Sequence, residues 1–445
     1  MCLTKGCTAA WHAARQTDHG NGTVSPKQTY MKTMNTEEFI MFHRNDDVRA
    51  LALKAAGAKD IDLGYALDQI AGWQTARRKL PQWAATEGIK YPPHLSMEQC
   101  SSEQTAIYKA DVAQRLISGL PKEEESVLVD LTGGLGVDFS YMARRFSRGV
   151  YVERQSHLCE LSRHNMGVLG ISQAEVVCAD SEQFMGQMGH VTMIFADPAR
   201  RDSHGGRTFA VADCTPDVLA MRDEMLAKAD FVMLKLSPML DWHKTVADFG
   251  SCVGEVHIVS AGNECKELLL VMSARFDGLT CVTCVNDGSI FSYNPQTDIQ
   301  RNITDEDGTG DDAGGNGSRA PLSLQPGMSL YEPNPSVMKA GCFGRIEAAF
   351  GARQISRDSH LFVSEQRAVG FPGRAFVIKA VSSMNRKELK KALGGIGKAN
   401  ITTRNFPMKA EELRKRLKLG DGGDCYIMAT TTADGSHVLI ICAKE

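Results

Sequence analysis

Apolar and polar positions change rhythm along this chain. Over residues 35–90 they follow a helical spacing, with Leu63, Leu67, Ile70 and Trp73 recurring every three or four residues. Asp46 and Asp47 stand where they can cap a helix over Val48–Ala56, which Gly57 would end. These apolar residues read as the core of a small bundle, and Arg77, Arg78 and Lys79 as its solvated face. Tyr91-Pro92-Pro93 breaks the pattern and marks a boundary. A helix is expected over Ser102–Ile117, and then the rhythm changes. Short apolar runs follow at Val127–Leu131, Gly149–Val152, Val176–Ala179, Val191–Ala196, Phe231–Leu236, Val256–Val259 and Leu268–Met272. Segments long enough for helices separate most of them. Strands alternating with helices predict crossover units, hence an α/β domain whose seven strands form a mostly parallel sheet.

Residues 275–300 alternate more like antiparallel strands. Thr304–Ala320 sets Asp305, Glu306, Asp307, Asp311 and Asp312 among Gly, Ser and Asn. With almost no apolar surface to bury, nothing offsets the entropy of ordering it, so a disordered acidic loop is expected. The tail is compact again. Phe376–Ala380 reads as a strand, Asn385–Leu393 as a helix, Ala399–Thr403 as a strand and Lys409–Leu417 as a helix. Cys425–Thr430 and His437–Ala443 read as a closing hairpin. The expected organisation is a disordered extension (1–33), a helical domain (34–95), the α/β domain (96–274), a small ferredoxin-like or linking domain (275–372) with a disordered loop at 304–320, and a basic α+β domain (373–445).

The 445 residues are 43% hydrophobic and 23% charged, which is globular composition. No run reaches the roughly 18–20 apolar residues of a membrane span. The N-terminus lacks the apolar core of a secretory signal. The 13 cysteines are scattered, many in apolar runs such as those holding Cys178 and Cys442, and read as reduced thiols of a cytoplasmic protein. The one C-x-x-C, Cys281–Cys284, has no second pair nearby, so no metal is expected. Net charge is −3, but Arg374–Gly420 alone carries 13 Lys/Arg against 3 Asp/Glu. A near-neutral chain is thus an acidic body joined to a basic appendage.

The chemistry concentrates in Asp130-Leu131-Thr132-Gly133-Gly134-Leu135-Gly136-Val137-Asp138, directly after the first strand. Glycines there allow a tight turn and let a ligand reach the backbone. The spacing is G-G-x-G-x-D, with Phe139 at the position of the third dinucleotide glycine, and no G-K-S/T follows. Glu153 ends the next strand, where an acid can accept both ribose hydroxyl protons. Asp180 follows the third strand, within reach of an adenine amino group. Asp197-Pro198-Ala199-Arg200 follows the fourth. Each acid alone could be a helix cap; four at successive strand ends would line the carboxyl edge, where open α/β sheets bind ligands.

In this order the residues resemble motifs I to IV of class I S-adenosylmethionine-dependent methyltransferases. The resemblance is closest to a bacterial subgroup with a THUMP-like C-terminal domain. Cys100-Ser101-Ser102-Glu103-Gln104-Thr105-Ala106-Ile107-Tyr108-Lys109-Ala110, Asp197-Pro198-Ala199-Arg200-Arg201, Thr403-Arg404-Asn405-Phe406-Pro407 and Asp421-Gly422-Gly423-Asp424 carry it. It covers roughly residues 95–275 and 374–445. It implies a Rossmann-like sheet, S-adenosyl-L-methionine as cofactor, and an RNA partner such as tRNA or rRNA. It also implies roles. Gly133, Gly134 and Gly136 would border the methionine part, and Thr132 and Asp138 are further expected cofactor contacts. Asp130 would orient the loop or the amino group, Glu153 hold the ribose and Asp180 the adenine. Gln104, Thr105 and Lys109 would cover the cofactor. Asp197 and Pro198 would position the acceptor.

Methyl transfer needs an acceptor aligned in line with the sulfonium methyl. The amine-modifying version of the fourth motif has a second Pro and an aromatic ring, and here Ala199 and Arg200 stand in their place. Arg200, Arg201 and Arg207 suggest instead a phosphate contact or a guanidinium stacked on a base, against the plainer reading of ion pairs with Asp202 or Asp213. Cys214 and Cys265 are off-pattern for a nucleophile. Lys235, Ser237, Asp241 and His243 could border the acceptor pocket. In the tail, Arg404, Asn405, Phe406, Arg414, Lys415, Arg416 and Lys418 are the expected RNA contacts. An RNA methyltransferase is the first expectation. A protein or small-molecule methyltransferase and a non-catalytic RNA-binding scaffold are the alternatives.

Overall fold

The computed structural model describes residues 34–54, 61–121, 125–200, 211–297 and 322–445. The expected extension at 1–33 and the acidic loop at 304–320 lie outside them. The chain divides into two compact units, Met1–Asp180 and Ser181–Glu445.

The first unit begins with helices α1 (Thr36–His43), α2 (Val48–Lys54) and α3 (Leu63–Lys79), then the short α4 (Pro81–Ala85) and α5 (His94–Gln99). Asn35 and Glu38 form a reciprocal capping box at α1, and Asp62 caps α3 by accepting from the Tyr65 N–H. Phe39, Leu51, Ile61, Ala66 and Ile70 make the core, with Leu63 and Leu67 packed against it. Then α6 (Glu103–Ile117) leads to β1 (Val127–Asp130), α7 (Val137–Met142), β2 (Arg148–Glu153), α8 (Ser156–Val168) and β3 (Ala174–Cys178). β1 pairs parallel with β2, and β2 parallel with β3. In each of these pairs the two strand ends therefore lie side by side at the same edge.

The second unit opens with α9 (Ser181–Gln187) and β4 (Val191–Ala196). The two-residue strands β5 (Ala199–Arg200) and β6 (Cys214–Thr215) pair with each other. α10 (Arg222–Lys228), β7 (Ala229–Leu236), α11 (Trp242–Phe249), β8 (Val253–Ala261), β9 (Glu264–Met272), β10 (Cys281–Asn286) and β11 (Ser289–Tyr293) follow. β4 and β7 run parallel, as do β8 and β10, while β9 is antiparallel between β7 and β8. All seven strands expected from the apolar runs are present in the two units.

Strands of residues 275–372 are shared between two sheets. β10 joins the edge of β8 and β11 folds back on it, because Val282, Cys284 and Val285 need that sheet to bury them. β12 (Ser329–Pro333), β13 (Arg353–Gln354) and β14 (Phe362–Ser364) belong instead to the C-terminal sheet. That sheet adds β15 (Gly373–Ser382), β16 (Lys398–Arg404), β17 (Gly420–Thr431) and β18 (His437–Lys444), in the order β13-β14-β12-β15-β18-β17-β16. Helices α12 (Pro335–Ala340) and α13 (Phe343–Phe350) follow β12, and α14 (Arg386–Ala392) and α15 (Ala410–Leu417) flank β16. Residues alternate between two cores, as a pleated strand requires. Phe376, Ile378, Met428, Ile440 and Cys442 point to one side, and Ala399, Ile401, Ile427, Leu439 and Ile441 to the other.

Candidate active site

The glycine loop leaves β1 at Asp130, which is buried and accepts from the Thr132 N–H at 2.9 Å. The Gly133 N–H reaches back to the Val152 carbonyl at 2.9 Å, and the Gly136 N–H donates to the Gly133 carbonyl at 2.8 Å. Gly134 and Gly136 have φ of +54° and +72°, a backbone that favours glycine. A Cβ on Gly133 would stand 2.2 Å from the Tyr151 ring, so this glycine is required by the strand beneath it. Around Gly134, by contrast, a Cβ meets only the Thr132 carbonyl at 3.7 Å. Tyr151, whose phenol is pushed up chiefly by burial, donates to the Gly134 carbonyl at 2.5 Å and accepts from Ser162 at 3.0 Å.

Glu153 is the hinge of the arrangement. Its Oε2 accepts from the Gly134 N–H at 3.0 Å, and its Oε1 from the Gln155 N–H at 2.9 Å and the Gln155 side chain at 3.3 Å. The carboxylate is 9% exposed and aimed into the loop. Asp180 stands exposed just after β3.

Helix α6 supports the loop from its other side. Ser102 caps it, and Thr105 is turned into that cap, its hydroxyl donating to the Ser102 carbonyl at 3.1 Å. Gln104 is exposed. Lys109 is fully buried, with its ammonium 3.1 Å from Asp138 Oδ1, in ion-pair range but off the line of a hydrogen bond. Ser101 joins the two, donating to Asp138 Oδ2 at 2.7 Å and accepting from Lys109 at 3.2 Å. Lys109 therefore pins α6 to the first turn of α7. Ser101, Tyr151 and Ser162 were missed by the site reading. Only the position of Ser101 beside Ser102 and Gln104 pointed to it.

In the second unit, β4 and β7 are parallel with Ala196 beside Leu234. The next residues, Asp197 and Lys235, are thereby brought together, and the lysine donates to Asp197 Oδ2. Pro198 is buried. Arg200 lies on β5, opposite Cys214. Arg201, Asp202 and Arg207 lie outside the described residues. Asp241 caps α11, accepting from His243 N at 2.9 Å and Lys244 N at 3.1 Å. Those backbone bonds, Lys244 first, hold its carboxyl below the ordinary range. His243 is exposed and stacked on Trp242 at 3.6 Å. Cys281 and Cys284, three apart on one strand, point to opposite faces.

Residues 373–444 match the THUMP domain-like family, and residues 330–372 a ferredoxin-like domain. A solved structure of a candidate methyltransferase from Porphyromonas gingivalis W83 is 31% identical, with 92% of this chain and 99% of that one covered and a TM-score of 0.75. The chain belongs to the class I S-adenosylmethionine-dependent methyltransferases with a THUMP-like C-terminal domain. A SAM-dependent methyltransferase from Agrobacterium tumefaciens is 14% identical over 40% of this chain and 64% of that one, with a TM-score of 0.30. An rRNA methylase from Streptococcus thermophilus is 13% identical over 37% and 94%, with a TM-score of 0.28. No curated protein matches the chain. Among the described residues no helix is long and apolar enough to cross a membrane, and no cluster of His, Cys, Asp and Glu could hold a metal.

The THUMP-like domain of this methyltransferase sorts its cations into two groups. Arg374 Nε donates to Glu332 Oε2 at 2.9 Å and Arg404 donates to Oε1 at 3.0 Å, clamping a nearly buried carboxylate from β12. Arg414 donates to the Ala399 carbonyl at 3.0 Å and pairs with Asp421. Phe406 packs on the core and meets the His437 ring edge-on at 5.7 Å, beside an exposed Asn405 with φ +48°. Lys415, Arg416 and Lys418 are exposed.

Proposed function

We propose that this chain transfers a methyl group from S-adenosylmethionine to RNA. The observation that carries the cofactor half is the tie between Glu153 and the Gly134 N–H. It fixes the strand-end carboxylate against a loop whose Gly134 side is open. The donor set suits the cofactor. A carboxylate has about four lone-pair sites and Glu153 uses three of them within the protein, so it can still accept from a ribose hydroxyl. Asp130 and the loop backbone would meet the amino acid part, and Asp180 the adenine. Bound S-adenosylmethionine supplies a methyl group on a sulfonium. The chain's own task is to hold the acceptor in line and exclude water.

Asp197 and Pro198 are assigned to orient the acceptor. The Lys235 partner makes Asp197 part of a donor-and-acceptor pair instead of a lone base. With Ala199 and Arg200 where an amine-modifying site has proline and an aromatic ring, other atoms of a base are the better acceptors. The RNA half rests on the charge of the THUMP-like domain. The scattered cysteines, many in apolar runs, support a cytoplasmic location.

Calorimetry with S-adenosylmethionine tests the first half. Glu153→Gln should weaken binding about 100-fold, as loss of charged hydrogen bonds does, while melting stays close to wild type. Absence of heat with the wild-type protein would leave the scaffold reading. Mass spectrometry of nucleosides from cells lacking the protein tests the second half. One methylated tRNA or rRNA nucleoside should disappear, and normal levels of all of them would overturn the RNA acceptor.

A further inference from the structure

α14 and α15 both pack on the core that holds Ile427, Leu439 and Ile441, through Leu389, Ala392 and Leu393 on one and Ala410, Leu413 and Leu417 on the other. They thus form a single outer layer on one face of the sheet, while the opposite face is closed by Leu330, Ile355, Leu361 and Val363. Helical spacing turns the remaining positions outward. On α14 these are Arg386, Lys387, Lys390 and Lys391, all exposed. Around α15 they include Lys409, Lys415, Arg416 and Lys418, with Lys398 exposed at the start of β16. The carboxylates of the layer are Glu388, Glu411 and Glu412, and Glu388 already accepts from the Ser383 backbone and hydroxyl at 3.0 and 2.7 Å. None of these nine cations closes an ion pair among the described residues, whereas Arg374, Arg404 and Arg414 are each paired with a carboxylate of the domain.

We propose that the α14–α15 layer is a phosphate-tracking surface for single-stranded or looped RNA, and that Arg374, Arg404 and Arg414 only hold the domain together. The proposal deepens the RNA reading above and rests on it for the identity of the polyanion. It differs from the sequence expectation in two ways. It adds α14, and it removes Arg404 and Arg414 from the contact set. Mobile lysines without fixed partners neutralise phosphates without reading bases, so binding should be salt-dependent and tolerant of sequence.

The test measures binding of a fluorescein-labelled mixed-sequence single-stranded RNA to the full chain across a salt series. Lys387→Gln/Lys390→Gln/Lys391→Gln on α14, and Lys409→Gln/Lys415→Gln/Arg416→Gln around α15, should each flatten the slope of log K against log salt by about 2, three contacts at roughly 0.7 each. The same α14 positions changed to Arg should keep the wild-type slope. Arg404→Gln should lower the melting temperature and leave the slope unchanged. Equal slopes for wild type and both triple variants would overturn the proposal. So would an Arg404→Gln slope as flat as theirs, or binding to phosphatidylserine vesicles without binding to RNA. If the triple variants flatten the slope but no RNA nucleoside loses its methyl group in deleted cells, this surface stands and the RNA acceptor falls.

Discussion

The glycine-loop end of the first unit and the outer helix layer of the THUMP-like domain both gather charged side chains, and they treat them in opposite ways. Around the loop, Lys109, Asp130, Asp138 and Glu153 are all buried. Each is met by a backbone N–H, a hydroxyl or an opposite charge at a set distance. On α14 and α15 the cations other than Arg414 are exposed and keep their water. A buried charge without partners is too unfavourable to persist, so burial forces a fixed geometry. An exposed charge has no such demand, stays mobile, and can follow any run of phosphates. The first arrangement suits one small cofactor of definite shape. The second suits a long polyanion.

Three changes test how far that contrast reaches. The largest effect should come from Lys109→Met. It leaves the Asp138 carboxylate buried without its cation, and urea unfolding should show a loss of about 3–5 kcal/mol. Lys109→Met combined with Asp138→Leu should recover much of it, since the uncompensated charge is gone. A loss no larger than that of a surface lysine would mean that the loop does not depend on its buried pair.

Gly133→Ala comes next. Its Cβ would overlap the Tyr151 ring, which Ser162 and the Gly134 carbonyl hold in place. Overpacking of this kind costs about 1–3 kcal/mol, readable as a lower melting temperature. A melt unchanged from wild type would show the loop to be softer than a rigid cofactor template.

The smallest effect belongs to Asp241→Asn. Its carboxyl is held below the ordinary 3.8, so its extra contribution is present above that pH and lost as pH falls through the depressed value. Asparagine keeps the cap without the charge. Because the side chain is 68% exposed, the variant should trail wild type by only a few tenths of a kcal/mol at neutral pH and meet it in strong acid. A gap that widened in acid would reverse the sign and refute the assignment.

Much of the first region was readable from the chain alone. A strand buried on both faces must be apolar throughout, so Val127–Val129 and Gly149–Val152 stood out as runs. Glycines forced into positive φ, and acids directly after such runs, marked the loop and the strand ends. The second region was only half readable. Its +10 charge was visible by counting, but each cation looked the same. By local sequence Arg404 is as good an RNA contact as Lys415, but β12, 72 residues earlier, brings Glu332 against it. The same holds for residues 275–372, whose alternation announced strands without saying which sheet would take them.

Local periodicity, glycine placement and charge composition are properties of short stretches, so the sequence by itself determined the elements, the motif order and the basic tail of this methyltransferase. Partnership is a property of distant segments. That Lys109 serves Asp138, that Lys235 meets Asp197 through the register of β4 with β7, and that three arginines are paired with carboxylates while the lysines of α14 and α15 stay in solvent were decided by tertiary packing alone. Which charges are buried depends on which surfaces close over them, and no stretch of chain carries that information by itself.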